Sequence, residues 1–545
     1  MRRSHLVALV LLVGLGVARI ASTYTTFVGT YDEPWHVVMG MEPLQYGSYT
    51  YEHQHPPLSR LAVALGPYLD GARAPVHRTN VVDNIDEYYA DGNAILYSSG
   101  GYWRNLTLAR IGTLPFFVLL CVITFLWARR WFSEATGWWA LILITCCAPI
   151  LGHAGLATID VAGAAGMALA LYIVLRWIET PSASWSVGLG LAVAFAFMTK
   201  LSAVAFLGAA FLIGLPVAYW LLWRKQGIPA IRNFAIVGFA LLLALWVCFG
   251  FSTKRLIDTW GPSPALDRAL RDYPVLTTPV EFVMSMPLPL SEMVTGVRNV
   301  YRHDAAGHGS FLLGEYRTSG WWYFFPIVLA VKTPLGMLLL GVAGVASTLW
   351  DARVVPWQKL LTALFVLAIL AVCMKSRLNL GVRHILAVYP LLAVLGGALA
   401  ANVIRSRRAI TLIPVALVVW TVIDSVRAHP DYLAHFNELV GAHPENILAE
   451  SDLDWGQDLA RLSHRLKDLN VDRIAIAYFG SALLERADLP TYRTLDPKQP
   501  TPGFVAISLH HRMMSRARDG SYAWLDKYTP RERIGKSIDL FYIPE

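Results

Sequence analysis

Long apolar runs separated by short basic stretches dominate the first four-fifths of the chain. Runs near 5–23, 107–128, 136–152, 159–177, 184–200, 201–223, 233–252, 323–350, 358–374, 384–404 and 409–425 stand out. Each is long enough to cross ~30 Å of hydrocarbon as a helix, which takes about 17 to 25 residues. The pattern predicts a polytopic α-helical membrane protein with about eleven transmembrane helices. From residue 428 onward hydropathy falls and charge rises. There "RIAIAYFG" (473–480) and "GFVAISL" (503–509) read as short buried strands. "DWGQDLARLSHRLKDL" (454–469) reads as an amphipathic helix, with apolar residues three and four apart. The expected organisation is therefore a membrane domain, 1–427, followed by a small soluble α/β domain, 428–545.

Composition agrees with this reading. Of the 545 residues 55% are hydrophobic and 15% charged, against roughly a quarter charged in soluble proteins. The net charge of +8 suggests nucleic acid at first sight. The Lys and Arg residues fall in clusters at the ends of apolar runs, however, so topology explains them and no nucleic-acid partner is expected. Cys121, Cys146, Cys147, Cys248 and Cys373 all lie in apolar runs, where they act as small hydrophobes rather than as a disulfide framework.

The basic residues also orient the chain, because short cytoplasmic loops are enriched in Lys and Arg. Threading the spans back and forth collects Arg2, Arg3, Arg129, Arg130, Arg176, Arg224, Lys225 and the RSRR run at 405–408 on one side. The N-terminus is then inside and the C-terminus outside. Arg2 and Arg3 before the first run, with small residues at 21–22, also give it a signal-peptide look; its removal would leave the sidedness of the rest unchanged. The outer face receives loops 24–106 and 253–322, the turns 153–158 and 375–384, and the tail. The expected location is the cell inner (plasma) membrane, multi-pass, with the tail on the extracytoplasmic face.

The unusual polar groups fall on that outer face. "TYDEPWH" sets Asp32 beside Glu33 next to the first span. Adjacent carboxylates near a membrane are either a general base with its supporting acid or the N-terminal cap of a helix beginning at Glu-Pro. Asp160 opens a span with no other charge nearby and is either a cap or a second functional acid. His153 lies seven residues before it. Lys200 sits between two spans, Lys332 lies inside an apolar run, and Arg377, Arg383 and His384 crowd one short turn. Snorkelling accounts for any one of these cations, and an anion such as a phosphate would satisfy several together. His53 and His55 have a spacing that suits a metal, though no third ligand is in register. "HPPL" opens an amphipathic interfacial helix. Trp321, Trp322 and Tyr323, near Glu315, are either an interfacial belt or a face for stacking sugars.

Taken in order, "DEPWH", "HPPL", "HAGLATID", "TK" (199–200), "GEYRTSGWWYFFP", "KTPL", "GVRHILAVYP", "YLAHFNELVG" and "ESDLDWGQDL" resemble the GT-C superfamily of polyprenyl-phosphate-dependent glycosyltransferases. The likeness is to bacterial members of glycosyltransferase family 39, the protein O-mannosyltransferase family. The resemblance implies a membrane glycosyltransferase, a hexosyl or pentosyl transferase. It would move a sugar from a polyprenyl-phosphate monosaccharide to the hydroxyl of a protein, lipid or glycan acceptor on the outer face of the bilayer. It implies Asp32 as the general base, supported by Glu33, and Asp160 as the second acid. Lys200, Lys332, Arg383 and His384 are implied contacts for the lipid phosphate, and His55, Glu315 and Trp321 weaker sugar or acceptor contacts. The chemistry needs no covalent nucleophile: one displacement at the anomeric carbon inverts it, with a base on one face and charge neutralisation of the phosphate on the other. A divalent metal is compatible with the residues without being required. The tail departs from the protein O-mannosyltransferases, so a protein acceptor does not follow from the resemblance; Asp452, Asp454 and Asp458 in it suit acceptor, metal or a helix N-terminus equally. Two other classes fit less well. A transporter or flippase of a lipid-linked anion favours charges at the midplane and paired halves, and a sensor has no use for the acid pair.

Overall fold

The computed structural model describes residues 3–78, 85–224, 227–260, 264–406 and 412–545. Arg2, Lys225 and the last two residues of the RSRR run, used above for sidedness, lie outside them. Among the described residues seven helices are long and apolar enough to cross a membrane: Arg3–Ala21, Tyr102–Trp131, Asp160–Glu179, Ser202–Trp223, Ile231–Cys248, Trp357–Lys375 and Leu386–Arg405. Glu134–Thr145 and Ala148–Ala154 form an eighth, bent by 60°. The shorter apolar helices Ala183–Thr199 and Leu335–Trp350 pack into the same bundle, as does Leu412–Arg427. The chain is a multi-pass membrane protein.

Three expected spans are modified by their own sequence. The run 323–350 is two helices, Phe324–Lys332 and Leu335–Trp350, because Pro334 cannot donate the hydrogen bond that would continue the first. The bend at Cys146–Cys147 precedes Pro149, which suits the first turn of the new helix for the same reason. The run 384–404 starts with two tight 3₁₀ turns, Val382–His384 and Leu386–Val388, before the regular helix Tyr389–Arg405. The first helix, α1 (Arg3–Ala21), packs in the bundle, and Arg19 in its last turn donates to the Tyr432 hydroxyl at 3.0 Å and the Ser425 carbonyl at 2.8 Å.

Loop 24–106 is itself helical, holding α2 (Glu33–Tyr46), α3 (Pro57–Leu69) and α4 (Ile85–Leu96). Helix α2 starts where Glu33-Pro34 suits a first turn. It lies so close to α4 that a Cβ on Gly92 would sit 2.6 Å from the Pro34 carbonyl carbon, so only glycine fits there. Loop 253–322 holds two small ribbons, β1 (Thr253–Arg255) with β2 (Pro287–Pro289) and β3 (Ser310–Leu312) with β4 (Glu315–Arg317).

The tail folds around a five-stranded mixed sheet. Its strands are β5 (Arg473–Ala477), β6 (Thr491–Thr494), β7 (Gly503–Ser508), β8 (Glu532–Ile534) and β9 (Ile538–Ile543), in spatial order β6-β5-β7-β9-β8. The two expected strands are the central parallel pair, and three further strands flank them. The expected helix 454–469 forms only from Leu459 to Asp468. Ahead of it the Asp454 carboxylate accepts the Gly456 and His510 N–H groups, and Gly456 takes φ +87°, so the chain turns instead of coiling.

The tail is sewn into the end of the bundle that carries residue 31 and the turn 375–384. Tyr31 N–H donates to the Trp455 carbonyl at 2.9 Å and Val28 N–H to that of Gln457 at 3.2 Å. Val382 N–H donates to the Asp452 carboxylate at 2.9 Å, and Ser451 hydroxyl to the Leu380 carbonyl at 3.0 Å. Residues 450–458 thereby clasp both the acid-bearing loop and the basic turn.

Candidate active site

Helix α2 fixes the two acids differently. Asp32 occupies the N-cap position yet makes no capping hydrogen bond with its side chain. Its Oδ2 accepts instead from Arg383 Nη1 at 2.6 Å, with a quarter of the side chain exposed. Glu33 points the other way and is fully buried. Arg110 Nε and Nη2 donate to its two oxygens at 2.8 and 2.9 Å, and Ala157 and Thr30 N–H groups donate at 2.8 and 2.6 Å. Glu33 is thus the anchor of the loop, and Asp32 is the acid of the pair left partly open.

A second ion pair stands beside the first. Lys200, at the C-terminal end of Ala183–Thr199, donates to Asp160 Oδ1 at 2.7 Å and to the Arg383 carbonyl at 3.3 Å. Thr158 hydroxyl donates to Asp160 Oδ2 at 3.1 Å, and His153 Nδ1 lies 3.8 Å from that oxygen. Asp160 is nearly buried, as its place at the start of a span predicts, and Lys200 compensates it. Two ion pairs, Asp160 with Lys200 and Arg383 with Asp32, are thus joined by the Lys200 contact to the Arg383 carbonyl.

Arg383 is the hub. The 3₁₀ turn that carries it follows Gly381, whose φ of +81° is left-handed and whose Cβ position is filled by the Asp452 carboxylate. The guanidinium lies 4.5 Å above the Trp455 ring, donates through Nε to Leu380 carbonyl at 3.2 Å and comes within 4.0 Å of Glu450. Burial disfavours its charge, but Asp32, Glu450 and Asp160 outweigh it and hold Arg383 cationic. His384 follows it, its ring parallel to Phe325 at 6.3 Å.

A third polar group borders the cluster. Glu52 binds buried Arg60 and holds His55 Nδ1 at 3.0 Å. Burial alone would raise the Glu52 carboxyl, yet Arg60 and His55 keep it below the usual carboxylate range. The His55 ring meets His36 edge-on with centroids 5.5 Å apart.

The structure thus brings Asp32, Asp160, Lys200 and Arg383 together, with His55 and His384 alongside. It does not bring Lys332 there. Lys332 is fully buried, its Nζ donating to the Leu433 and Asp452 carbonyls beneath the tail, so it neither snorkels nor offers charge to a phosphate. Glu315 is exposed and paired with Arg317 at 2.6 Å, and Trp321 is packed beneath that same arginine, so neither reaches the cluster. His53 and His55 serve different neighbours, and no three His, Cys, Asp or Glu side chains assemble as a metal site among the described residues. Asp452, Asp454 and Asp458 each accept hydrogen bonds from backbone N–H groups, and Asp458 also pairs with Arg461 and the Ser537 hydroxyl. Sequence reasoning missed Arg110, Glu52, Arg60, Glu450 and Trp455. Arg110 alone left a signal: an arginine inside an apolar run needs an acid, and Glu33 was available.

Residues 104–252 match the family model described as dolichyl-phosphate-mannose-protein mannosyltransferase. No curated protein matches the chain. Among solved structures, the chain resembles ArnT from Cupriavidus metallidurans bound to undecaprenyl phosphate, with a TM-score of 0.50 at 15% identity over 99% of this chain and 98% of that one. The apo state of the same protein gives 0.47 at 15% identity over 98% of each chain. An oligosaccharyltransferase from Archaeoglobus fulgidus tethered to an acceptor peptide gives 0.48 at 10% identity, over 97% of this chain and 72% of that one. The fold is of the GT-C type, and the resemblance read from the ordered motifs holds.

Proposed function

We propose that the protein is an inverting glycosyltransferase that moves a sugar from a polyprenyl-phosphate monosaccharide to an acceptor hydroxyl at the extracytoplasmic face. One observation carries the reading. Asp32 is an uncapped, partly open carboxylate in direct contact with Arg383, and Arg383 is joined through its own carbonyl to the Lys200–Asp160 pair. A candidate base and a candidate phosphate-binding cation therefore stand side by side.

In the proposed reaction the acceptor oxygen attacks the anomeric carbon as Asp32 takes its proton. The bond from that carbon to the phosphate oxygen breaks, and the electron pair leaves with the polyprenyl phosphate. Arg383 and Lys200 neutralise the departing charge, with the His384 imidazole beside them as a hydrogen-bond donor. The incoming phosphate competes with Asp32 for Arg383, so donor binding frees the carboxylate to act as base. Asp160 holds Lys200 in place, and Glu33 fixes the loop that carries Asp32. Support comes from the GT-C fold, from the match to a mannosyltransferase family model, and from the undecaprenyl phosphate bound to the similar ArnT structure.

The test is transfer by purified protein in lipid nanodiscs supplied with polyprenyl-phosphate sugars and candidate acceptors, with release of polyprenyl phosphate as the readout. Asp32→Asn is expected to bind donor and lose turnover by at least about a hundredfold, the usual range for a general base. Equal transfer by both proteins would remove Asp32 from the mechanism.

A further inference from the structure

Asp32 and His36 are four residues apart across the first turn of α2 and so lie on one face of it. His36 is 3% exposed, and its Nδ1 is buried without a hydrogen-bond partner among the described residues. Several buried ring nitrogens share that state, those of His53, His153 and His510 among them, and His36 differs from His53 and His510 in standing one helical turn from Asp32 with Arg383 among its neighbouring charges. The ring has chemically informative neighbours. His55 meets it edge-on at 5.5 Å, and the nearby charges are those of Arg60, Asp160 and Arg383. His55 is itself oriented, since Glu52 holds its Nδ1 at 3.0 Å and Nε2 is not part of that contact.

Burial, with His55 and Arg60 close by, pushes the His36 imidazole well below its ordinary pKa even though Asp160 opposes the shift. The ring is therefore neutral, with one N–H donor and one lone pair. That set complements a hydroxyl, which both gives and accepts a hydrogen bond. It is a poor match for a phosphate, which only accepts, and Arg383 and Lys200 already supply that need.

We propose that His36, with His55 beside it, binds a hydroxyl of the donor's sugar and holds the ring against Asp32, making it a determinant of which sugar is transferred. The inference rests on the transfer reading given above and names the subsite within it. His36 takes no proton in the reaction. It positions the glycosyl group while Asp32 handles the acceptor and Arg383 the phosphate.

The experiment compares binding of bare undecaprenyl phosphate with undecaprenyl-phosphate mannose, glucose and galactose to the protein in nanodiscs, by native mass spectrometry. In the wild type at least one sugar-bearing lipid is expected to bind more tightly than the bare one. His36→Leu should shrink that gap about three- to tenfold, the worth of one hydrogen bond, and leave bare-lipid affinity unchanged. His36→Gln, which keeps a donor and an acceptor, should restore part of it. His55→Leu, at the more open ring, should shrink the same gap and serves if the His36 variants do not fold. The proposal is overturned if the gap survives His36→Leu, if bare and sugar-bearing lipids weaken equally, or if the wild type does not distinguish them. The transfer reading stands or falls separately, on turnover by Asp32→Asn.

Discussion

Replacing Glu33 with alanine should cost several times more stability than Asp32→Asn, one residue away. Glu33 is fully buried against an arginine that is 1% exposed. Its two oxygens accept two guanidinium N–H groups and the Ala157 and Thr30 backbone N–H groups. Removing one partner of a buried pair costs about 3–5 kcal/mol, because the other charge stays behind in a poor solvent. Two orphaned N–H groups would add about 1–3 kcal/mol each if nothing replaced their partner. Three carbonyls, those of Tyr24, Phe27 and Val28, continue to hold Arg110, and water entering the gap recovers part of the rest. A net loss of about 4–6 kcal/mol follows, a large share of the roughly 5–15 kcal/mol that keeps a protein folded. Asp32 makes one ion pair at a partly exposed position, worth no more than about 1 kcal/mol. The assay is thermal challenge of detergent-solubilised protein followed by fluorescence-detected size exclusion. With about 2.1 cal/mol/K of unfolding entropy per residue over 545 residues, Glu33→Ala should lower the apparent melting temperature by about 4–5 °C, and Asp32→Asn by about 1 °C. Melting of Glu33→Ala within 2 °C of wild type, or below it only as far as Asp32→Asn, would refute the assignment of Glu33 as the anchor.

Burial raises the Asp454 carboxyl to about 7, so it is protonated in the fold at a pH where the unfolded chain has already ionised it. Its stabilising contribution is complete below about pH 4 and is lost as pH rises through about 7. Melting temperature measured from pH 5 to 8 should therefore fall less steeply in Asp454→Asn than in the wild type; parallel curves would contradict the shift. Gly381→Ala puts a methyl group where the Asp452 carboxylate lies and imposes a left-handed φ on a residue with a side chain. The turn must move and Arg383 with it, so affinity for undecaprenyl phosphate, read by native mass spectrometry, should fall by at least about tenfold, while the neighbouring exposed-site change Arg377→Ala leaves it within about twofold.

Much of the site was legible because burying charge near a membrane is costly, so each charge that stays there needs a reason. Asp160 in a run without other charges and Arg383 in a crowded turn announce themselves in this way. The same logic was misleading at Lys332, where the compensating groups are backbone carbonyls of the tail, a hundred residues away and without any sequence signature. It was incomplete for Glu33, since nothing in "DEPWH" says which acid turns inward. That is decided by Arg110, Thr30 and Ala157 meeting on one side of α2. The tail shows the same division: β5 and β7 are readable as continuous apolar runs buried on both faces, while the edge strands β6 and β8 alternate too weakly to be seen.

By itself the sequence determined that this is a multi-pass membrane protein with acids and bases gathered at one end, because hydropathy and charge act locally and are written residue by residue. Only the tertiary structure decided which of those charges meet. Ion pairing depends on distances between segments far apart in the chain, Asp32 with Arg383 and Asp160 with Lys200, and those distances are set by how helices and tail pack together.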